Sequence, residues 1–228
     1  MGKALFVTGT GTDVGKTYVT GLIVKKLQDA GLDAGYYKAA LSGAEPDGGG
    51  HLIPGDAAWV KQVAGLTDPL EDLVTYVYQE AVSPHLAARH TGVPVELERI
   101  RADFARARDR HTYLTLEGSG GILCPLRWDA QQRLLLEDVI QRLDLGCVIV
   151  ADAGLGTINS TVLTVEYLRH RNIPVRGIFF NHWIPGDAMR EDNRAMVERL
   201  TEVPVLACIQ AGDKDLNIKI DNLTSLYR

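Results

Sequence analysis

The chain has 228 residues, a formal net charge of −5 and an ordinary share of apolar residues, 46%. This length is enough for one sizeable core, and the acidic balance argues against nucleic acid as the main partner. No apolar run is long enough to span a bilayer, so we expect a cytoplasmic protein with no signal peptide and no membrane contact.

The first distinctive stretch is a glycine-rich loop at residues 9–17, Gly-Thr-Gly-Thr-Asp-Val-Gly-Lys-Thr. It follows an apolar run at residues 4–7, typical of a buried strand, and precedes residues 18–27, where apolar positions recur at helical spacing. A strand, a glycine-rich turn and Gly-Lys-Thr at a helix start form the context of a phosphate-binding P-loop. Lys16 would reach the β- and γ-phosphates, and the Thr17 hydroxyl would contact a magnesium ion.

The spacing of this loop is a variant of the usual pattern. Five residues separate Gly9 from Gly15, and Thr10 stands where the standard first glycine is found. The alternative is a glycine-rich turn between strand and helix that binds nothing. Gly-Lys-Thr at a helix start has little structural purpose, which favours the phosphate-binding interpretation.

Beyond residue 30, the chain alternates between apolar runs and amphipathic segments. The alternation predicts an α/β fold of the P-loop NTPase type, with a doubly wound, mostly parallel sheet flanked by helices, in a single domain of residues 1–228. A glycine-rich segment at residues 42–50 is predicted to be a mobile loop near the site. The predicted strands are residues 34–38, 113–117, 147–152, 175–181 and 203–208, and the predicted helices are residues 56–63, 95–110, 134–143, 154–170 and 187–200, with a further capped helix that begins at Ser83-Pro84.

Cysteines and histidines give no sign of a disulfide or a zinc site. Cys124, Cys147 and Cys208 include no Cys-x-x-Cys pair, and the last two lie in apolar, strand-like runs. The six histidines are scattered and include no His-Glu-x-x-His motif. We therefore expect buried thiols in a reducing compartment and no zinc ion.

Polar side chains stand at the ends of the predicted strands, where an open parallel sheet binds its ligands. Asp56 also starts the helix after the glycine-rich segment. Cations for phosphates and carboxylates for a metal are what a nucleotide–magnesium site needs. The residues at strand ends are Thr10, Asp13, Lys38, Glu117 and Asn181.

Each of these residues also has a structural alternative. Asp56 could be only a helix N-cap, Lys38 a surface lysine and Asn181 a turn residue. A purely structural role suits Glu117 less, because it ends an apolar strand just before Gly-Ser-Gly-Gly. The turn at residues 154–157 is a second possible anion site at a helix N-terminus, and Asp152 before it is interpreted as a strand-end cap.

Together these segments resemble the dethiobiotin synthetase family, ATP-dependent enzymes that close the ureido ring in biotin synthesis. The resemblance covers nearly the whole chain, and its motifs follow one another at family-like spacings. They are residues 9–17, Lys38 with Ser42-Gly43, Asp56, Ser83-Pro84-His85, residues 117–121 with Pro125-Leu126, residues 154–159 and Asn181.

The resemblance implies a homodimer that converts 7,8-diaminononanoate, carbon dioxide or bicarbonate, and Mg-ATP into dethiobiotin, ADP and phosphate. A carbamate and a carbamic–phosphoric anhydride are the implied intermediates. The residues with an implied role in nucleotide binding are Asp13, Val14, Gly15, Lys16, Thr17, Tyr18, Glu117 and Asn181, and those implied to bind magnesium are Thr17, Asp56 and Glu117. The implied catalytic residues are Lys16, Lys38, Thr12 and Ser42. The implied substrate-binding residues are Ser42, Thr157, Ile158 and Asn159, of which the last three act across the dimer.

The chain departs from the family pattern at positions that leave the phosphate and metal residues intact. His182 and Trp183, which follow the adenine-contacting position, carry no readable signal for the choice of base. The departures are Gly11 for Asp or Asn, Asp13 for Glu, Ala39 for Pro and Ser119 for Ala.

Two other kinds of ATPase remain as alternatives. Cobyrinic or cobyric acid amide synthases carry a glutaminase domain after the nucleotide domain, for which this chain has no cysteine motif. Chromosome-partitioning and septum-placing switch ATPases need a signature lysine five residues before the loop lysine, where this chain has Gly11. A dependence of ATP consumption on both bicarbonate and the diamine would distinguish the synthetase from both.

Overall fold

The computed structural model describes residues 2–228 and contains eleven strands and nine helices in that range. The strands in chain order are β1 (Lys3–Gly9), β2 (Ala34–Ser42), β3 (Glu45–Pro46), β4 (Leu52–Ile53), β5 (Val74–Tyr78), β6 (Tyr113–Glu117), β7 (Pro125–Trp128), β8 (Arg133–Leu135), β9 (Cys147–Asp152), β10 (Val175–Asn181) and β11 (Val205–Cys208). The helices are α1 (Lys16–Asp29), α2 (Gly55–Ala64), α3 (Leu70–Leu73), α4 (Pro84–Thr91), α5 (Leu97–Arg110), α6 (Leu136–Arg142), α7 (Thr157–His170), α8 (Ala188–Thr201) and α9 (Ile220–Thr224).

Seven strands form one sheet in the order β11-β10-β9-β1-β6-β2-β5, and every neighbouring pair is parallel. The central strand β1 lies between β6 and β9. From there the chain builds one half of the sheet through β2, β5 and β6, and the other half through β9, β10 and β11. The strand order therefore reverses beside β1, and the loop that follows β1 lies at the crevice where such sheets bind ligands.

Alternation along the strands divides the core into two layers, one on each face of the sheet. In β1, Ala4 and Phe6 pack into one layer, while Leu5 and Val7 pack into the other. This is the two-residue period of a strand that is covered on both sides. Helices α4 to α8 cover the first face, and α1, α2, α3 and α9 cover the second.

The predicted fold class is confirmed, and the predicted order of strands and helices holds along the chain. The strands predicted at residues 147–152 and 175–181 match β9 and β10 at both ends. Among residues 2–228, no helix combines the length and the apolarity that a membrane crossing needs.

The strand predicted at residues 34–38 continues to Ser42, because residues 40–42 pair with β5, so Lys38 lies inside β2 and not at its end. Four further local features differ from the prediction. Residues 42–50 include part of a hairpin, in which β3 pairs antiparallel with β4 and the Asp47 carboxylate accepts hydrogen bonds within the turn. The helix predicted at 134–143 begins only at Leu136, because Leu134 pairs with Arg127 in the β7–β8 hairpin. The edge strand β5 was not predicted, although its Val, Thr and Tyr residues favour strands.

The fourth difference concerns the start of α4. Pro84 is its first residue, as predicted, but the Ser83 side chain makes no capping hydrogen bond to the helix. Its hydroxyl instead hydrogen-bonds with Nδ1 of His85, at 2.9 Å. The local side-chain partner therefore replaces the backbone amide that a capping serine normally binds.

Candidate active site

An open cavity of about 790 Å³ lies at the carboxyl ends of the central strands. It is bounded by the glycine-rich loop, the end of β2, the start of α2 and the turn after β6. Its lining residues are Thr12, Asp13, Gly15, Lys16, Thr17, Tyr18, Lys38, Leu41, Ser42, Gly55, Asp56, Trp59, Glu117, Ser119 and Gly120.

Gly15 is required by the shape of the loop. Its φ of 87° lies in the left-handed region, and a β-carbon there would be 2.0 Å from Nδ2 of Asn181. Only glycine both adopts this left-handed conformation without strain and leaves room for the Asn181 side chain. Helix α1 begins at the next residue, so its unpaired N-terminal amides and the positive end of its dipole face the cavity.

Lys16 is buried in the loop, with 7% of its surface exposed. Its Nζ donates a 2.7 Å hydrogen bond to the carbonyl oxygen of Gly11. Burial lowers the pKa of Lys16 because the charged ammonium loses water, and the negative charges of Glu117 and Asp56 oppose this effect only partly. An anionic ligand in the cavity would supply the missing compensation.

A second lysine holds two acidic side chains together. Lys38 and Glu117 face each other in the β2–β6 register, and Nζ of Lys38 lies 2.7 Å from Oε1 of Glu117. The same ammonium pairs with Oδ2 of Asp56. Although burial acts to lower it, the pKa of Lys38 is raised overall because the charges of Glu117 and Asp56 favour the protonated form.

The three predicted metal ligands are brought together in this cluster. The Thr17 hydroxyl donates a 2.8 Å hydrogen bond to Oε1 of Glu117, and Asp56 is linked to the same carboxylate through Lys38. Asp56 stands one residue inside α2, whose N-cap is Pro54, so its side chain is not a simple cap. Oxygen donors around one buried positive charge fit a hard divalent cation such as magnesium.

Thr12 and Ser42, the residues predicted to orient a substrate, both line the cavity. Sequence reasoning missed Trp59, which is also in the lining and stands three residues after Asp56 on the same helix. Its ring lies 5.6 Å from the ring of Tyr18, centroid to centroid. Helical spacing from Asp56 was the signal that could have found it.

Tyr36 is a second residue that sequence reasoning missed. It is fully buried in β2, and its hydroxyl donates a 3.0 Å hydrogen bond to Oε2 of Glu117. Glu117 therefore has partners on both carboxylate oxygens. The two-residue spacing between Tyr36 and Lys38 places both side chains on one face of the strand.

Asn181 lies against the glycine-rich loop and does not line the cavity. It is the last residue of β10, with 2% of its surface exposed, which excludes the turn alternative. Its Nδ2 donates a 3.1 Å hydrogen bond to the Val14 carbonyl, while its Oδ1 is buried without a partner. Val14 likewise is not part of the lining.

The helix start at Thr157, Ile158 and Asn159 also lies outside the lining of this cavity. Thr157 is buried and its hydroxyl pairs with Thr161, whereas Asn159 is exposed. The neighbouring Leu155 exposes 92% of its surface. One copy of the chain does not bring these residues to the phosphate-binding loop.

The fold and the site define the class of this protein as a P-loop nucleotide-binding protein. Residues 3–215 match the family model described as an AAA domain. Solved structures with the same fold include a ParA family ATPase from Chlorobium tepidum, with a TM-score of 0.58 and 11% identity over 99% of this chain and 90% of that one. The cell division ATPase MinD of Pyrococcus furiosus matches with a TM-score of 0.53 and 18% identity over 92% of this chain and 84% of that one.

Sequence relatives are more specific. The ATP-dependent dethiobiotin synthetase BioD of Brachyspira hyodysenteriae is 45% identical over 227 residues, covering 100% of both chains. The protein of the same name from Clostridium botulinum is 43% identical over 227 residues, covering 100% of this chain and 99% of its own. This chain belongs to the ATP-dependent dethiobiotin synthetase family.

Proposed function

We propose that this protein is an ATP-dependent ligase that forms the cyclic urea of dethiobiotin from 7,8-diaminononanoate, carbon dioxide and ATP. The observation that carries the proposal is the cluster of Thr17, Lys38, Asp56 and Glu117 beside the glycine-rich loop. It combines a phosphate-binding loop with charged groups of both signs, as phosphoryl transfer requires.

The reaction has three bond-forming steps. One substrate amine adds to carbon dioxide and loses a proton, which gives a carbamate. A carbamate oxygen attacks the γ-phosphorus of ATP, and ADP leaves. The second amine then attacks the carbonyl carbon of the resulting carbamic–phosphoric anhydride, and phosphate departs with the proton lost from that amine as the ring closes.

Lys16 and Lys38 are the cations available for this chemistry. Both are buried and line the same cavity, so their charges act in a medium of low dielectric constant. We assign Lys16 to the β- and γ-phosphates and Lys38 to the carbamate and the transferred phosphoryl group. Fixed charges of this kind stabilise a transition state without reorganising as the reaction proceeds.

The phosphoryl acceptor is the substrate, not a protein side chain. None of the fifteen described residues that line the cavity is a cysteine or a histidine. The nearby Cys124 is a poor nucleophile, because burial raises the pKa of its thiol to about 11. Ring closure can then rely on proximity, which is worth about 7–11 kcal/mol when two groups are well oriented.

Thr17, Asp56 and Glu117 would hold a magnesium ion that neutralises charge on the β- and γ-phosphates when it is bound. The Lys38 ammonium pairs with both carboxylates and holds them together. Residues 2–228 contain no group of three or more His, Cys, Asp or Glu side chains placed to bind a metal. Further ligands would therefore come from phosphate oxygens and water.

We further propose a cytoplasmic homodimer in which each site is completed by the second copy. Thr12 and Ser42 would orient the reacting end of the diamine, and the start of α7 from the second copy would bind its carboxylate. That helix start offers unpaired amides at Ile158 and Asn159, whereas the Thr157 amide donates to the Gly154 carbonyl, and all three residues lie outside the cavity of their own chain. The exposed Leu155 and Leu163 suit burial between two copies.

The reaction is tested by incubation with labelled bicarbonate, ATP, magnesium and 7,8-diaminononanoate. The label should enter an acid-stable cyclic urea, with one ADP formed for each ring. Omission of the diamine is the control and should abolish ADP formation. Hydrolysis of ATP at the same rate without the diamine would instead indicate a switch ATPase.

A further inference from the structure

Three polar side chains form a continuous series from the protein surface to the glycine-rich loop, and we call them the amide relay: Asp152, His182 and Asn181. Oδ2 of Asp152 lies 2.5 Å from Nδ1 of His182, and Nε2 of His182 lies 3.2 Å from Nδ2 of Asn181. Asp152 ends β9 and faces Asn181 in the β9–β10 register. The chemistry proposed above gives His182 and Asp152 no role.

The donors and acceptors in the relay permit one arrangement of a neutral imidazole. A carboxylate only accepts hydrogen bonds, so Nδ1 of His182 carries the proton and donates to Asp152. Nε2 is then an acceptor and must face a donor, which is Nδ2 of Asn181. The Val14 carbonyl, also only an acceptor, receives the second hydrogen of the same Nδ2.

The outer end of the relay is itself held in place. The Gly154 amide donates a 2.6 Å hydrogen bond to Oδ1 of Asp152, which leaves Oδ2 for His182. Although partial burial raises it, the pKa of Asp152 is lowered overall, because hydrogen bonds from His182 and Gly154 favour the carboxylate. His182 adopts a φ of 56°, and Nε of Arg190 donates a 3.0 Å hydrogen bond to its carbonyl.

The consequence falls on Oδ1 of Asn181. Both hydrogens of Nδ2 are engaged, so the amide cannot rotate by 180° without placing its oxygen against two acceptors. Oδ1 is therefore fixed as a buried acceptor, and it has no partner within the described part of the chain. A buried acceptor without a partner is unfavourable in a folded protein, and binding of a ligand donor relieves it.

We infer that Asp152 and His182 are positioning residues that set the choice of nucleotide base, by fixing the Asn181 amide so that its buried oxygen, and not its nitrogen, is the group left to accept a hydrogen bond from the base. A base with an exocyclic amine, such as adenine, can donate to that oxygen. A base with a carbonyl at the same position, such as hypoxanthine, would place its carbonyl oxygen against Oδ1 of Asn181, and two acceptors form no hydrogen bond. This inference rests on the proposed function, and with it on the nucleotide-binding role that the family resemblance implies for Asn181.

Asp152→Asn is the most direct substitution because it hardly changes the shape of the side chain. The oxygen of the introduced amide would keep its hydrogen bond from the Gly154 backbone, so the nitrogen of that amide would face Nδ1 of His182. The imidazole would then carry its proton on Nε2, so that two hydrogen-bond donors, Nε2 of His182 and Nδ2 of Asn181, would face each other. The orientation of the Asn181 amide would lose one of its two supports, and with it part of the discrimination against a carbonyl base.

The test measures Kd for ADP and IDP by calorimetry, and kcat/KM for ATP and ITP in urea formation. The wild type should prefer the adenine nucleotide in both. Asp152→Asn should reduce that preference by about tenfold, the scale of one hydrogen bond to a buried group. The kcat at saturating ATP should stay within about twofold, because the relay does not touch the reacting atoms. Asp192→Asn, on the exposed face of α8, is the control and should keep the wild-type preference.

Two substitutions of His182 separate the hydrogen bond from packing. Gln and Met have similar lengths and share any cost of the left-handed backbone, but only Gln has an acceptor for the Asn181 amide. His182→Gln should retain more of the base preference than His182→Met, with equal melting temperatures. If folded Asp152→Asn and His182→Met proteins both keep the wild-type Kd ratio, the inference is wrong. Loss of diamine-dependent urea formation in the wild type would overturn the proposed function instead, and the Kd ratios would still decide the role of the relay.

Discussion

Lys38 and Glu117 occupy facing positions on β2 and β6, and their side chains form an ion pair at 2.7 Å in which both are almost fully buried. A buried pair of this kind costs a great deal to break, because removal of one partner leaves the other charge uncompensated. Thr17 and Tyr36 also donate to Glu117, and Asp56 also pairs with Lys38. The pair is therefore the link between the glycine-rich loop, the sheet and α2.

Lys38→Met should lower the free energy of unfolding by about 3 kcal/mol at pH 8, at the low end for a buried pair because Glu117 keeps two hydroxyl partners. The folded pKa of Lys38 is raised above 10.5, so its contribution to stability is fully present below pH 10.5 and is lost as the pH rises through the folded pKa. The difference between wild type and variant should thus be constant from pH 8 to 10 and shrink above pH 10.5. Denaturant titrations across this range measure it, and a difference that grew with pH would contradict the raised pKa.

Lys16→Ala should reduce urea formation by at least about 10²–10³-fold, the loss typical for one preorganised group at a developing charge. Lys25→Ala removes another lysine of α1, one that pairs at the surface with Asp29, and is the matched control. It should retain wild-type turnover and stability. Near-normal ATP-dependent product formation by Lys16→Ala would show that Lys16 is not the residue through which the loop binds the phosphates.

Gly15→Ala should unfold at a lower temperature and lose nucleotide binding, because its β-carbon would overlap the Asn181 amide and its φ of 87° is strained for alanine. Gly48→Ala is the control, since a β-carbon there meets nothing within 4 Å. Calorimetry for melting and for ADP binding gives both readouts. In the double variant Gly15→Ala/Asn181→Gly, the overlap is relieved but the backbone strain remains. Its melting temperature should therefore recover only in part.

Glu117→Gln and Asp56→Asn should each raise the magnesium concentration needed for half-maximal activity, because both substitutions remove a charged oxygen donor. Glu98→Gln, at an exposed position on α5, should leave the magnesium dependence unchanged. Initial rates over a range of magnesium concentrations at constant ATP provide the measurement. Unchanged dependence in both variants would mean that the metal is held elsewhere.

Asn159→Ala should raise the KM for the diamine about tenfold while the KM for ATP stays nearly constant, because the start of α7 is proposed to contact only the substrate tail. Asn222→Ala, near the C-terminus in α9, is the control. Sedimentation of the wild type should show a dimer. A fully active monomer, or equal losses for both substrates, would refute the shared site.

Local patterns in the sequence were sufficient for the fold class and for most of the site. The glycine-rich loop, the apolar runs of β1, β9 and β10, and the acid that ends β6 all depend on residues close together in the chain. Parallel strands end at one edge of a sheet, so the loop after β1 with Lys16 and the acid Glu117 that ends β6 lie at one cavity. Lys38 also lines this cavity, although it lies inside β2 and not, as predicted, at the end of that strand. The boundaries of α6 and the edge strand β5 could not be predicted, because short apolar runs suit a helix or a strand equally well.

Only the tertiary structure decided which atoms meet. Asn181 was predicted at a strand end, but its burial against Gly15 depends on the packing of β10 beside β9 and the return of the glycine-rich loop over both. The pairing of His182 with Asp152 gave no readable signal, because the two residues are 30 positions apart and meet only when two strands are in register. Period and spacing in the sequence determine which elements form, since those depend on local backbone and burial preferences. Hydrogen bonds between distant side chains depend on how the elements are placed against one another, and only the folded chain sets that.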